Sequence, residues 1–286
     1  MKSRSAIFKI IIIVSTVGAV LLQWATDTVR PNNFIWEVYQ TRLLPFLETR
    51  YLYFYLHLFA LSCVLPMSFE RKIHYYKYWK ALFPALLIVA VVFLAWDSYK
   101  TYAGVWGFNP EHYTFLVGNL PIEEWFFFIT FPFASIFIYE SLNYYIKKDP
   151  LVKAEPYITP LLIVLFTTVG LVYWSHAYTA TTFIVCGGFL LYHYIYVTPR
   201  YRSRFYAGLL VGYLPFILVN GALTGTFTEQ PVVVYNPEEY LGIRFLSIPL
   251  DDFAYNFILE FSVITLYEFF KVKMRLAGTT TLTEGL

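Results

Sequence analysis

The chain has 286 residues, of which 58% are hydrophobic, 21% aromatic and only 14% charged, with a formal net charge of +2. That apolar share and low charge lie outside the range of ordinary soluble domains and point to a bilayer as solvent, while the small, scattered positive charge excludes a nucleic-acid partner. Eight spans of roughly 20 residues would use most of the length, so any site must be built by the spans and their loops.

The expected fold class is all-α: a polytopic membrane helix bundle of about eight transmembrane helices. Apolar runs long enough to span fall at Ser5–Leu22, Tyr51–Phe69, Lys80–Ser98, Pro121–Tyr145, Tyr157–Trp174, Thr179–Val197, Arg204–Leu223 and Pro249–Phe270. The first follows Lys2 and Arg4 and has no small-x-small cleavage site before Gln23 and Trp24, so it reads as a retained helix rather than a signal peptide. Between the first two runs, Phe34, Ile35, Val38, Leu43, Leu44, Phe46 and Leu47 recur at helical spacing within Asn32–Arg50, which predicts a segment lying along the membrane surface. Only Ser175-His176-Ala177-Tyr178 separates the fifth and sixth runs, as in an antiparallel hairpin. Cys63 and Cys186 lie inside apolar runs without metal-ligand or disulfide spacing, so no metal site is expected.

Lysine and arginine collect at Lys2 and Arg4, Arg71 to Lys80, Lys147 to Lys153, Arg200 to Arg204 and Lys271 to Arg275, all on one side of the bundle. The positive-inside rule makes this a multi-pass cell-membrane protein with both termini cytoplasmic and the loops before the fourth and eighth spans on the far face.

Those two loops carry an internal repeat. Phe108-Asn109-Pro110-Glu111-His112-Tyr113 matches Tyr235-Asn236-Pro237-Glu238-Glu239-Tyr240; Leu120-Pro121-Ile122-Glu123-Glu124 matches Ile248-Pro249-Leu250-Asp251-Asp252; Tyr139-Glu140 matches Tyr267-Glu268. A weaker match pairs Trp96-Asp97 with Val219-Asn220. An even number of helices separates the copies, which predicts two parallel repeats about an axis along the membrane normal, with both carboxylate pairs at one face. The expected organisation is an N-terminal helix and interfacial segment (1–50), a first repeat (51–148), a connecting helix (149–178), a second repeat (179–273) and a cytoplasmic tail (274–286). At the offset that aligns Asp97 with Asn220, the counterpart of His57 is Ala180, so His57 and His193 are not a repeat pair and read as polar groups packed within the bundle.

A proline followed by two acids is a common helix start, since proline suits the first helical position and acids complement the helix dipole. Two copies, each fed by an Asn-Pro loop and each leading into a span, make Glu123, Glu124, Asp251 and Asp252 candidate catalytic groups, one carboxyl donating a proton and another accepting it without a redox cofactor. Asp252, Asn256 and Glu260 recur every four residues and form a polar stripe running inward, whereas below Glu124 stand Phe128 and Pro132, so one composite site is expected rather than two identical ones. Glu140 and Glu268 are expected at the cytoplasmic headgroups, paired with lysines. Trp106, Phe108, Trp125, Phe126, Phe127, Phe128 and Phe253 surround the acids; aromatic belts at a membrane interface explain most of them, although such faces can also stabilise a carbocation.

Ser68-Phe69-Glu70-Arg71-Lys72, Trp96-Asp97, Gly104-Val105-Trp106-Gly107-Phe108-Asn109-Pro110 and Leu120-Pro121-Ile122-Glu123-Glu124, with Asn220-Gly221, Tyr235-Asn236-Pro237 and Pro249-Leu250-Asp251-Asp252, resemble the heterodimer-type integral-membrane lycopene cyclases, which occur as two small subunits or one fused chain. The resemblance covers roughly Tyr51 to Lys271. It implies conversion of the linear ends of lycopene to β-ionone rings, with no net redox and no cofactor; no Gly-x-Gly-x-x-Gly is present to bind one. The motif match carries the catalytic role to Glu123, Glu124, Asp251 and Asp252. Position adds Asp97, Asn220 and Glu260, and Trp106, Phe108, Asn109, Trp125, Asn236 and Asn256 complete the candidate substrate contacts. The implied partners are the membrane-embedded carotenoid and the bilayer, with contact to other enzymes of the carotenoid pathway left open. A carotenoid hydratase, a C50 carotenoid cyclase and a proton-coupled transporter remain as alternatives.

Overall fold

The computed structural model describes residues 44–197 and 199–276; the first expected span, most of the interfacial segment and most of the tail lie outside them. The described residues form seven α-helices: α1 (Leu52–Met67), α2 (Trp79–Tyr102), α3 (Ile122–Tyr145), α4 (Glu155–Val172), α5 (Ala177–Tyr196), α6 (Pro199–Thr224) and α7 (Leu250–Lys273). Counting the short 3₁₀ turn Tyr75–Tyr78 that leads into α2, five of them are long and apolar enough to cross a membrane. α1 has 16 residues, about 24 Å of helix, a little short of the hydrocarbon thickness. α5 carries Thr179, Thr181 and Thr182 on buried positions, which dilutes its apolar character.

The loops that feed α3 and α7 are more ordered than their sequences suggest. After α2 come β1 (Trp106–Phe108), β2 (Leu116–Val117) and β3 (Leu120–Pro121); after α6 come β4 (Val233–Tyr235), β5 (Arg244–Phe245) and β6 (Ile248–Pro249). β2 pairs with β3 and β5 with β6 as small antiparallel hairpins that end at the prolines capping α3 and α7. The tight turn of the first hairpin places Gly118 at φ +68°, and the same turn in the second places Leu246 at φ +58°, a left-handed conformation that a leucine adopts only at a steric cost.

β1 pairs antiparallel with β4, with Trp106 opposite Tyr235, Gly107 opposite Val234 and Phe108 opposite Val233. By the repeat, Trp106 corresponds to Val233 and Phe108 to Tyr235, so this register maps onto itself when the copies are exchanged. The flanking bonds obey the same rule: Asn109 N–H donates to Val232 O at 2.8 Å, and Asn236 N–H to Val105 O at 2.9 Å. Helix packing is reciprocal too, with α1 on α3 and α5 on α7 within the copies, and α2 on α7 and α3 on α6 across them. The two halves are therefore related by a local two-fold passing through the β1–β4 ribbon.

α4 lies outside this symmetry and packs along α5 as the expected hairpin. Gly170 and Gly187 permit the close approach: a Cβ on Gly170 would stand 2.7 Å from the Ile184 side chain, and one on Gly187 2.5 Å from the Thr167 hydroxyl. At the end of the bundle away from the ribbon, the buried Lys271 ammonium donates to Glu140 at 2.7 Å and Glu268 at 3.1 Å, and the Tyr267 hydroxyl donates to Glu140 at 2.8 Å. The expected lysine pairing is thus present and internal: both glutamates are buried between α3 and α7, and one lysine on α7 serves both.

Candidate active site

Each proline–acid motif places its two carboxyls in different surroundings. The first acid turns back to the loop that precedes the hairpin. Glu123 accepts from the backbone N–H of Thr114 at 2.9 Å and from the Thr114 hydroxyl; Asp251 accepts from the N–H of Leu241 at 3.2 Å and from the Thr179 hydroxyl. Thr114 and Leu241 are equivalent positions of the repeat, so both first acids fasten the same turn of backbone.

The second acid points the other way. Glu124 and Asp252 line a chamber of about 60 Å³ beneath the β1–β4 ribbon, together with Asp97, Asn220 and Asn256. Glu124 accepts a hydrogen bond from the Tyr53 hydroxyl. Asp252 accepts three, from Tyr178 at 2.6 Å, Tyr235 at 2.7 Å and the Asn220 amide at 2.7 Å. Tyr53 and Tyr178 are each the second residue of their helix, α1 and α5, so the phenol–carboxylate contact is itself repeated. One oxygen of Asp97 and the hydroxyl of Tyr255, which also lines the chamber, have no hydrogen-bond partner among the described residues.

Ring faces close the remaining sides. Trp106 meets Tyr178 edge-on at 4.8 Å between centroids, and Tyr255 meets both Trp96 and Phe93 edge-on. Tyr178 and Tyr235 lie parallel at 6.0 Å. The Arg244 guanidinium stands 5.4 Å over the Tyr235 ring and 4.8 Å over that of Tyr240, to whose hydroxyl it donates. Burial, reinforced by the neighbouring Asp252 carboxylate, raises the Tyr235 phenol well above its ordinary value, so it remains a donor across the working pH range.

The structure brings Glu124, Asp252, Asp97, Trp106, Phe108, Asn220 and Asn256 together around one chamber. Glu260 lies one turn beyond Asn256 and lines an adjoining apolar groove, so the polar stripe of α7 runs from one space into the next. Asn109 and Asn236 lie outside: their side chains accept from Glu111 N–H and Glu238 N–H, and donate to Pro231 O and Gly104 O, holding the two crossing loops. Trp125 is exposed and donates to Val117 O at 3.2 Å, bracing the first hairpin. His57 stacks on Tyr53, while His193 packs between Phe189 and Phe261, so the two histidines occupy unrelated places as expected.

The tyrosines are the site residues that the sequence did not single out. Among 26 tyrosines, the only signal for Tyr53 and Tyr178 was their shared position at the start of each copy's first helix, 125 residues apart. The acid pairs are 128 apart and Asp97 and Asn220 123 apart, so no single offset displays all the equivalences at once.

Fold and chamber together define a duplicated helical membrane bundle with a buried carboxylate–phenol cluster between its halves. The family model for lycopene cyclase matches residues 50–142 and 175–270, two stretches that follow the two copies and together cover more than half of the chain, and the protein belongs to the lycopene cyclase family. A bifunctional lycopene cyclase/phytoene synthase of Phycomyces blakesleeanus is 28% identical over 142 residues, 46% of this chain, which matches 22% of that relative's length. No solved structure matches.

Proposed function

We propose that the protein cyclises the linear ends of lycopene to β-ionone rings by acid–base chemistry within the chamber. The observation that carries this is the unequal coordination of the two inward acids. Asp252 accepts three hydrogen bonds, a set suited to a carboxylate, whereas Glu124 accepts one and shares the chamber with Asp97, one of whose oxygens is unpartnered among the described residues.

In this mechanism Glu124 gives its proton to the terminal double bond and leaves the cation on the dimethyl carbon. The next trisubstituted double bond attacks that carbon, a six-membered ring closes, and the cation moves to the ring carbon bearing the methyl group. Loss of the adjacent ring proton to Asp252 restores a double bond. One proton enters and one leaves, so no electrons are exchanged. The faces of Trp106, Phe108 and Tyr255 border the space where the cation travels and lower its cost. Proton return from Asp252 to Glu124 resets the site.

The charge distribution of the loops supports cytoplasmic termini in the cell membrane, with the chamber near the opposite face. Expression in lycopene-accumulating cells, followed by pigment chromatography, tests the assignment. Ring-bearing carotenoids are expected; unchanged lycopene, or a hydroxylated linear product, overturns it.

A further inference from the structure

Beside the chamber, an apolar groove of about 300 Å³ runs along α3 between α1 and α6, at the low end of the ~300–1,000 Å³ typical of small-molecule sites. Its origin is local. Gly208, Gly212 and Pro215 follow one another at spacings of four and three on a single face of α6, so that face presents little side chain to α3. No Cβ contact within 4 Å would meet a side chain added at Gly212. The opposite wall comes from Phe59, Cys63 and Met67 of α1, all exposed on the outer surface of the bundle, so the groove opens sideways.

The groove adjoins the chamber, and Phe127, Phe216, Asn220 and Asn256 line both. On α6 the lining runs from Asn220 to Phe205, about 22 Å at 1.5 Å per residue. It is long, narrow, almost wholly apolar, and leads from the acids toward the other side of a bilayer roughly 30 Å thick. For a stiff conjugated chain whose end reaches Glu124 and Asp252, this groove offers an apolar path away from the ribbon.

We infer that this groove is the seat of the polyene arm: the substrate slides in from the bilayer between α1 and α6, with one end at the acids and the rest of the chain along α3. The inference rests on the cyclase reading and adds the route and the residues that bind the unreacted part of the molecule. One arm fits per visit, so a substrate with two linear ends is processed one end at a time, and the one-ringed product leaves before it re-enters reversed.

The test uses two glycines with open space at their Cβ positions. Gly212→Trp fills the groove, whereas Gly188→Trp places the same side chain on the outer face of α5, away from both cavities. In lycopene-making cells Gly188→Trp is expected to give wild-type ring content and Gly212→Trp at least a tenfold loss. A second measurement needs no turnover. Cys63 lines the groove and is exposed, while Cys186 is buried, so N-ethylmaleimide labels the former selectively. Lycopene in the vesicle membrane is expected to slow that labelling severalfold in the wild type and not in Gly212→Trp. Equal ring content in the two glycine variants, or labelling of Cys63 indifferent to lycopene, overturns the groove assignment. Protection of Cys63 without any ring product leaves the groove assignment standing and removes the cyclase reading instead.

Discussion

The two halves of the molecule share an order of elements but differ in what their third helices face. α7 is enclosed, with 72% of its most apolar stretch buried inside the protein, against 44% for the most apolar stretch of α3. The positions of α7 that correspond to the groove-lining Phe127, Phe131 and Ser135 are Tyr255, Leu259 and Val263, all packed in the bundle. The polar load is shifted the same way. Asp252 receives three hydrogen bonds where Glu124 receives one, and Asn256 and Glu260 stand below it where α3 carries Phe128 and Pro132. The second half holds a buried carboxylate fixed by three hydrogen bonds; the first supplies an acid that accepts one, beside a groove that opens on the outer surface. Duplication has thus given a frame with two equivalent acid positions, and divergence has given them unlike surroundings.

The largest expected effect separates the inward acids from the outward ones. Glu124→Gln and Asp252→Asn should each lower cyclisation about 10³-fold, the range for loss of a general acid or base. Glu123→Gln and Asp251→Asn keep hydrogen-bonding capacity toward the loop and should retain activity within about tenfold, at a stability cost of about 1–2 kcal/mol. Pigment yield and thermal denaturation of purified protein, measured side by side, check this. Loss of activity at Glu123 or Asp251 without loss of stability would erase the distinction within each pair.

A smaller contrast concerns the phenols. Tyr53→Phe removes the hydrogen bond that orients Glu124 and should cost about tenfold in rate, whereas Tyr178→Phe leaves Asp252 two donors and should cost about threefold. Initial rates in detergent or vesicles decide it; the reverse order would give Glu124 the more buttressed role.

The least effect is expected at the hairpin turns. Leu246 is exposed and occupies at φ +58° the place held by Gly118 in the first copy. Leu246→Gly should therefore stabilise the protein by about 0.5 kcal/mol with activity unchanged, as read from its melting midpoint. A lower midpoint would show that the leucine side chain is held by contacts worth more than its backbone strain.

Much of this frame was legible in the sequence because the features involved are local. The Pro-Ile-Glu-Glu and Pro-Leu-Asp-Asp motifs, the Asn-Pro loops and the four-residue stripe on α7 each reveal themselves within a few residues. What could not be read was direction. Glu123 and Glu124 are adjacent, and only the path of the loop through Thr114 determines which turns outward. The phenols reach the acids across 71 residues for Tyr53 and 74 for Tyr178, through tertiary packing that has no pattern along the chain. Trp125 and Asn109 stood beside the right motifs yet brace loops, since proximity in sequence to a helix start does not fix which face a side chain takes.

The β1–β4 ribbon sits on the local two-fold, and an axis shared by two identical subunits would force the residues on either side of it to match. Here the strands belong to one continuous chain, so backbone pairing keeps the register while the side chains are free to differ. Trp106 faces Tyr235 at one end of the ribbon and Phe108 faces Val233 at the other. The roof of the chamber is therefore lopsided by construction, and a ligand beneath it meets a bulky indole–phenol end and a slimmer phenyl–isopropyl end. The side chains of that roof can change without disturbing the hydrogen bonds that join the halves.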